Sequence, residues 1–372
     1  MRDILLISGT RPEIIKLAPV YHALRECGWA RVQWLHTAQH GDMAGPILGS
    51  FGIVPDITLS RPGSSLLDFS LACRQQLDGI MQSRDWSLVV VQGDTESAFQ
   101  GALAAFHHRV PLAHVEAGLR TYNLTRPFPE EGLRQMISRL ATFQFAPTAG
   151  ARDALLAEGV APASVYLTGN TVIDAQQWVC RHHGVQRRVQ GLGHLLVTVH
   201  RRENWGSDLA EICQAIVAIA AMNPKLDVLF PVHLNPLVRE PVHAILSASP
   251  NVRLVAPLDY LDMQQALADA WMVLTDSGGL QEEAPTFGVP LLVLRDETER
   301  PEAIAAGCAL IVGAGRSDIV NAVARLAADS TAFTRMQRAG NPFGDGHAAR
   351  RIVDALSNHF ATPKERLHET SS

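Results

Sequence analysis

The sequence predicts an α/β chain built from two doubly wound parallel sheets, and three observations carry that prediction. Short apolar runs such as Leu88-Val89-Val90-Val91 and Trp271-Met272-Val273-Leu274 read as strands buried on both faces. Each run gives way to a small or polar turn and then to a segment with helical apolar spacing. The pattern closes near Gly169 and restarts at Leu195, and 372 residues are too many for one ordinary core.

Taken in order, Ile4-Leu5-Leu6-Ile7 is the first strand, and Gly9-Thr10-Arg11-Pro12-Glu13 is the turn that leaves it. Pro12 suits the opening of a helix whose apolar side is Ile14, Ile15, Leu17 and Ala18. Val32 to Thr37 is the next strand, with Gln39-His40 just past it. Leu88 to Val91 leads into Gln92-Gly93-Asp94-Thr95 and a helix over Ser97 to His107. Pro111 to Val115 is a strand ending in Glu116-Ala117-Gly118-Leu119-Arg120. Polar residues thus recur at one end of each strand, where an open parallel sheet binds its ligands. After Gly169-Asn170-Thr171, a basic segment from Arg181 to Arg188 reads as a solvated connection.

The second half begins with Leu195 to Val199, a strand that ends at His200-Arg201-Arg202-Glu203-Asn204. Asp208 is the expected cap of a helix over Leu209 to Ala221. Val228-Leu229-Phe230 runs into Pro231-Val232-His233, and Val252 to Val255, Trp271 to Leu274, Pro290 to Leu294 and Ala309 to Val312 are further strands. A last helix, His347 to Ser357, follows Gly344-Asp345-Gly346, and the polar end from Ala361 to Ser372 is expected to be disordered. The domain assignment is 1–168 for the first Rossmann-like domain and 169–345 for the second. Residues 346–372 supply a helix packing back on the first domain and a polar tail. The polar edges of the two domains are expected to face one another across a cleft.

Hydrophobic residues make up 47% and charged residues 19%, the profile of a well-buried globular chain. A net charge of −5 argues against nucleic acid or an anionic membrane as the main partner. The five cysteines, Cys27, Cys73, Cys180, Cys213 and Cys308, stand singly without a C-x-x-C, as reduced cytoplasmic thiols do. The apolar stretch before Gly9 is too short for a secretion signal, and no run approaches the ~20 residues that cross a bilayer. The expectation is a soluble cytoplasmic protein.

The richest stretch for chemistry is Thr275-Asp276-Ser277-Gly278-Gly279-Leu280-Gln281-Glu282-Glu283. A buried strand, a small-residue turn and a helix over Gln281 to Phe287 make a phosphate seat, because glycine admits a ligand to the backbone and a helix start presents amides. A glutamate one turn inside can take ribose hydroxyls; without that pair, an ordinary strand-to-helix turn would look the same. In the first domain, Arg11 with Lys16, His40, Asp94, and Glu116 with Arg120 sit at strand ends. Pro127-Phe128-Pro129-Glu130-Glu131 runs into a helix carrying Arg134. Three carboxylates with cations at one sheet edge form an acid/base and phosphate inventory. Each has a plainer reading as well: Asp94 as a cap, Glu116 paired with Arg120, Arg134 with Glu130, Lys16 solvated, His200 and His233 as satisfied histidines. The signatures G-x-G-x-x-G after Ile7, G-x-x-x-x-G-K-[ST], H-E-x-x-H and G-x-S-x-G do not occur, so nicotinamide, P-loop, metal and hydrolase-elbow chemistry lack support.

Several of these blocks belong together: Gly9 through Lys16, Thr37-Ala38-Gln39-His40, Gly93-Asp94-Thr95, His114 through Thr121 and Pro129-Glu130-Glu131. Gly169 through Ala175, His200 through Asn204, Pro231 through Pro236, the Ser277 stretch and Thr298 through Glu302 continue the series. In that order, and over nearly the whole chain, they resemble the non-hydrolysing UDP-N-acetylglucosamine 2-epimerases. The resemblance implies a GT-B-type architecture and a homodimer in polysaccharide biosynthesis. It implies inversion of C2 of UDP-N-acetylglucosamine to give UDP-N-acetylmannosamine, without nicotinamide or metal, by elimination of UDP to a glycal and its return. It further implies Asp94, Glu116 and Glu130 as acid and base, with His200 near the leaving group. UDP would be held by Arg11, Lys16, Ser277, Gly278, Gly279 and Arg300, its ribose by Glu283, with Arg134 also binding substrate. Gln39, Arg74, Arg201 and His233 match a second, allosteric UDP-N-acetylglucosamine site found in some members.

The chain also departs from the family pattern. Leu133 stands in place of an Asn, Glu96 in place of a Thr, and Arg126 in place of a small residue, all near the expected hexose pocket. Glu96 and Arg126 are a candidate compensating pair. Leu258 and Met263 replace a Gln and an aromatic ring near uracil, where Met can still pack on a base. The rival readings are a hydrolysing epimerase that releases N-acetylmannosamine, a glycosyltransferase of the same architecture, and an idle nucleotide-sugar sensor.

Overall fold

The computed structural model describes residues 1–39, 44–63 and 65–361. His40 and the tail beyond Ala361 therefore lie outside the described residues. The chain divides into two compact units: Met1–Ala175 with the segment starting at Gly346, and Gln176–Asp345.

The first unit is built on seven strands: β1 (Arg2–Ser8), β2 (Ala30–His36), β3 (Ile57–Thr58), β4 (Leu88–Gln92), β5 (Leu112–Val115), β6 (Phe143–Ala146) and β7 (Val165–Leu167). Their order is β3-β2-β1-β4-β5-β6-β7, with every pairing parallel. Strand order reverses between β1 and β4, so the loops after those two strands border the crevice where doubly wound sheets bind ligands. Leu5, Ile7, Val89 and Val91 project into a core completed by Phe69 and Leu77 from the helix Leu66–Gln82 and by Ala98 and Ala102 from the helix Glu96–His107. The helix Ala348–Ala361 belongs to this unit: Phe360 lies 5.7 Å from Trp29, and Asp174 accepts from the amides of Ala348 and Ala349. It starts one residue later than the sequence predicts and runs on to Ala361.

The second unit repeats the plan with β8 (His194–Thr198), β9 (Val228–Pro231), β10 (Val252–Val255), β11 (Ala270–Thr275), β12 (Leu291–Val293) and β13 (Ala309–Ile311). The order β10-β9-β8-β11-β12-β13 is again all parallel and reverses between β8 and β11. Val197, Phe230, Met272 and Leu292 are fully buried against Leu209, Ile212 and Ile216 of the helix Ser207–Met222. That helix is capped by Gly206 rather than Asp208, which lies inside its first turn. The expected helix over Gln281 to Phe287 is instead an α-helical turn, Gly278–Glu283, followed by a 3-10 turn, Ala284–Phe287. Pro285 has no amide to donate, and the tighter turn ends at Gly288 with φ +64. No helix among the described residues is long and apolar enough to cross a membrane.

Candidate active site

In the first unit the loops leaving β1 and β4 are tied together by one side chain. Glu13, in the first turn of the helix Arg11–Glu26, accepts from the amides of Gly9 (3.0 Å) and Thr10 (2.7 Å) with one oxygen. Its other oxygen accepts from the Thr95 hydroxyl at 2.7 Å. Thr95 in turn accepts from the amide of Ala98 and so caps the next helix. Glu13 is 1% exposed, and burial pushes its carboxyl up to about 7 because these donors are all uncharged and recover only part of the lost hydration. Gly9 is required beside it: a Cβ there would fall 1.9 Å from the Ser97 hydroxyl.

Asp94 sits between two fixed points. On one side is Thr95; on the other, Gly93 donates to the Val115 carbonyl and accepts from His114 Nε2 at 2.7 Å. Burial pulls the His114 imidazole down to about 4, so it is neutral and donates through Nε2. The Asp94 carboxylate takes Arg134, which also approaches Glu131 at 3.4 Å. Glu131 is itself buried; burial raises its carboxyl, but bonds from the Thr121 amide, Gln135 and the Tyr122 amide win and hold it below the usual range. Glu116, at the end of β5, pairs with buried Lys16 and accepts from Gln92 at 3.0 Å. Its φ is +65, a left-handed conformation that a non-glycine residue adopts at a cost and that re-aims the side chain.

These pairings differ from the plainer alternatives that the sequence also allows. Arg120 is bound to Glu158 by two bonds, 2.7 and 2.9 Å long, and Lys16 is buried rather than solvated. Arg134 takes Asp94 and Glu131 instead of Glu130, whose half-buried side chain opens the helix Glu130–Leu140. Glu96 accepts from Ser70 (2.7 Å) and Gln100 (2.8 Å), not from exposed Arg126. Arg11 is exposed at the start of its helix. Gln39 accepts from the amide and hydroxyl of Ser97, and one terminal nitrogen of Arg74 is buried without a hydrogen-bond partner among the described residues.

In the second unit the corresponding tie is Asp276, fully buried at the end of β11. It accepts from the amides of His200 (3.0 Å) and Arg201 (2.9 Å), from Asn204 Nδ2 (3.0 Å) and from His200 Nδ1 (3.0 Å). Burial raises its carboxyl, but these bonds, the imidazole's first, outweigh burial and hold it below the usual range. The His200 side chain is 46% exposed. Arg201 reaches Glu299 at 3.1 Å, and Arg295 joins Glu299 to Glu203. Against burial, those two arginines pull the Glu299 carboxyl down to about 2.

Ser277 caps the turn at Gly278, where a Cβ would meet only an Arg201 nitrogen, at 3.4 Å; at Gly279 it would meet nothing closer than 3.8 Å. Both glycines thus leave room at the loop. Arg300 is paired with buried Glu282, while Glu283 accepts from Gln264 at 2.7 Å. Leu258 and Met263 are half-buried beside and within the helix Tyr260–Asp269. His233 is exposed, and its Nδ1 accepts from the Asn235 amide. Glu13 and Asp276 are the site residues that sequence reasoning does not single out. The capping-box spacing Thr10-x-x-Glu13 is a signal for the first, but it predicts a helix cap, not a bridge to another loop. Among the described residues no group of His, Cys, Asp and Glu side chains gathers to hold a metal ion.

Comparison with known proteins bears on this arrangement as a whole. A family model described as UDP-N-acetylglucosamine 2-epimerase matches residues 22–357. UDP-N-acetylglucosamine 2-epimerase from Yersinia pestis is 44% identical over 96% of this chain and 99% of its own length. The Bacillus subtilis protein of that name is 40% identical over 98% and 97%. A solved structure of UDP-GlcNAc 2-epimerase from Neisseria meningitidis bound to UDP-GlcNAc superposes with a TM-score of 0.87 at 37% identity, covering 96% of this chain and all of that one. MurG from Acinetobacter baumannii, 17% identical with a TM-score of 0.62 over 96% of this chain and 100% of that one, shares the fold alone, which is of GT-B type. Two Rossmann-like domains with polar strand ends, matched from end to end by such relatives, place this chain in the UDP-N-acetylglucosamine 2-epimerase family.

Proposed function

We propose that the protein inverts C2 of UDP-N-acetylglucosamine without net hydrolysis. The observation that carries this reading is a pair of cation-bound carboxylates at neighbouring strand ends, Glu116 with Lys16 and Asp94 with Arg134. The C2 hydrogen is not acidic in the ground state, since C2 adjoins the anomeric carbon and not a carbonyl. As the C1–O bond breaks, its electron pair leaves with UDP and C1 gains positive character. A carboxylate then takes the C2 proton, and the C–H electrons form the C1=C2 bond of a glycal. In return, a UDP oxygen attacks C1 and a second acid delivers a proton to the other face of C2. No electrons are gained or lost overall, so nicotinamide is not needed.

On this reading Asp94, Glu116 and Glu130 supply the base and acid, within hydrogen-bond reach of C2. Arg11, Lys16, Ser277, Gly278, Gly279 and Arg300 retain UDP between the two steps, Glu283 takes the ribose, and Arg134, Leu258 and Met263 complete the substrate contacts. Retention matters because re-addition requires the leaving group still in place. Gln39, Arg74, Arg201 and His233 serve a second UDP-N-acetylglucosamine molecule that activates the enzyme, which works as a cytoplasmic homodimer. Family membership and the ion-paired acids support the reading.

The deciding experiment is incubation with UDP-N-acetylglucosamine in heavy water, followed by NMR of the sugar. The expected result is a mixture of the two UDP-sugars, both deuterated at C2. Accumulation of free N-acetylmannosamine and UDP, or retention of protium at C2, overturns it. Full-rate reaction of UDP-N-acetylmannosamine alone, without a lag, overturns the activating site.

A further inference from the structure

Asp276 makes more contacts than loop scaffolding requires, and its two oxygens do different work. Oδ2 accepts from the amides of His200 and Arg201 and from Asn204 Nδ2, which also donates to the Leu294 carbonyl. Oδ1 faces the His200 ring, 3.0 Å from Nδ1, and makes a longer 3.2 Å contact with the His200 amide. A carboxylate only accepts, so the ring nitrogen facing it must carry a proton. A bare Nδ1 would set a lone pair against a buried anion. Of the other charges on this loop, Arg201 is paired with Glu299 and Glu203 with Arg295, while exposed Arg202 lies 6.0 Å from the centroid of the Trp205 ring.

We propose that Asp276 is a positioning residue that fixes His200 in its Nδ1–H form and presents Nε2 to the diphosphate leaving group. The neutral ring then meets the ligand with an acceptor at Nε2, and the protonated ring meets it with a donor. Both forms keep the Nδ1–H bond, so the ring orientation survives the gain and loss of a proton. The role of Nε2 rests on the function proposed above; the tautomer does not, and the two can fail separately.

The test combines histidine 15N NMR of the full chain with a double-mutant cycle. His200 is assigned by the signals lost in His200→Gln, and spectra are taken well above the imidazole range, where the ring is neutral. Wild type is expected to show a protonated Nδ1 and a bare Nε2, and Asp276→Asn a mixed or reversed pattern. Asn204→Ala loosens the same loop without touching the ring and should keep the wild-type pattern. In turnover, Asp276→Asn is expected to lower kcat about 100-fold with KM changed less than about threefold, and to cost little more in a His200→Gln background. A wild-type ring protonated at Nε2, an unchanged pattern in Asp276→Asn, or additive losses in the cycle would overturn the proposal. If Asp276→Asn does not fold, the wild-type and Asn204→Ala spectra decide the tautomer alone. If the protein turns over no UDP-sugar, only the assignment of Nε2 falls.

Discussion

The two sheets reverse strand order in the same way, yet the buried carboxylates at their reversal points are held in opposite states. Glu13 meets two amides and a hydroxyl, and burial drives its carboxyl up to about 7. Asp276 is as deeply buried, but an imidazole, two amides and an amide side chain hold it below the usual range. Burial alone does not set the charge of an internal acid; the balance turns on how much of the lost hydration its partners return, as Glu131 in the first unit also shows. The first unit places its cations one strand end away, on Glu116 and Asp94. On the proposed mechanism the first unit moves protons, whereas the second holds Asp276 and Glu299 as fixed charges.

The largest effects should separate those two characters. Asp94→Asn and Glu116→Gln are each expected to slow C2 deuterium exchange about 10²–10⁴-fold. Wild-type exchange in a folded variant would remove that residue from the acid/base set.

The pH dependence of stability should differ in sign between Glu13 and Asp276, with Glu131 of the first unit siding with Asp276. Glu13 rises from an ordinary 4.5 to about 7, so its contribution is fully present below 4.5 and is lost as pH climbs toward 7, by at most about 3–4 kcal/mol. Glu13→Gln should flatten thermal or urea melts across that interval. Asp276 and Glu299 act oppositely: their contribution is present above the ordinary carboxylate range and disappears as pH falls toward the Glu299 value of about 2. Melts of Glu13→Gln that keep the wild-type slope between pH 4.5 and 7 would break the contrast.

Two arginines assigned to UDP sharpen it further. Exposed Arg11→Ala should weaken UDP binding by about 1.5–3 kcal/mol, measured calorimetrically, with little change in melting. Arg300→Ala should weaken binding comparably and also lower the melting temperature, because Glu282 is left buried, and adding Glu282→Gln should restore it. Glycines give the smallest contrast. Gly9→Ala forces a clash with Ser97 and should destabilise by about 1–3 kcal/mol. Gly279→Ala meets only the Ser277 hydroxyl, at 3.8 Å and so without a clash, and melting should hold within about 0.5 kcal/mol while UDP affinity drops.

Legibility of the chain follows from what local pattern can encode. Runs such as Leu88 to Val91 announce buried strands because both faces are apolar. Three strands escaped that signal: β3 has two residues, β7 three, and β6 carries Gln144, whose amide donates to Ser138 in the interior. The strand-end residues of the candidate site were readable for the same reason the strands were. Their pairings were not. Lys16 lies a hundred residues from Glu116, and nothing near either one excludes the closer Arg120, which Glu158 takes instead. Glu13 and Asp276 sat inside readable motifs, but burial and cross-loop bonds belong to the tertiary fold and gave them no local mark.

The left-handed backbone at Glu116 carries an evolutionary consequence. Gly or Asn would relieve that strain but take the carboxylate away from buried Lys16, so a library randomised at this codon and sorted for heat resistance should return them only where Lys16 is made apolar as well. Sorted for turnover, the same library should return glutamate. Backbone comfort and usefulness pull in opposite directions at this position, and the lysine beneath it makes silent drift away from glutamate costly to the fold as well.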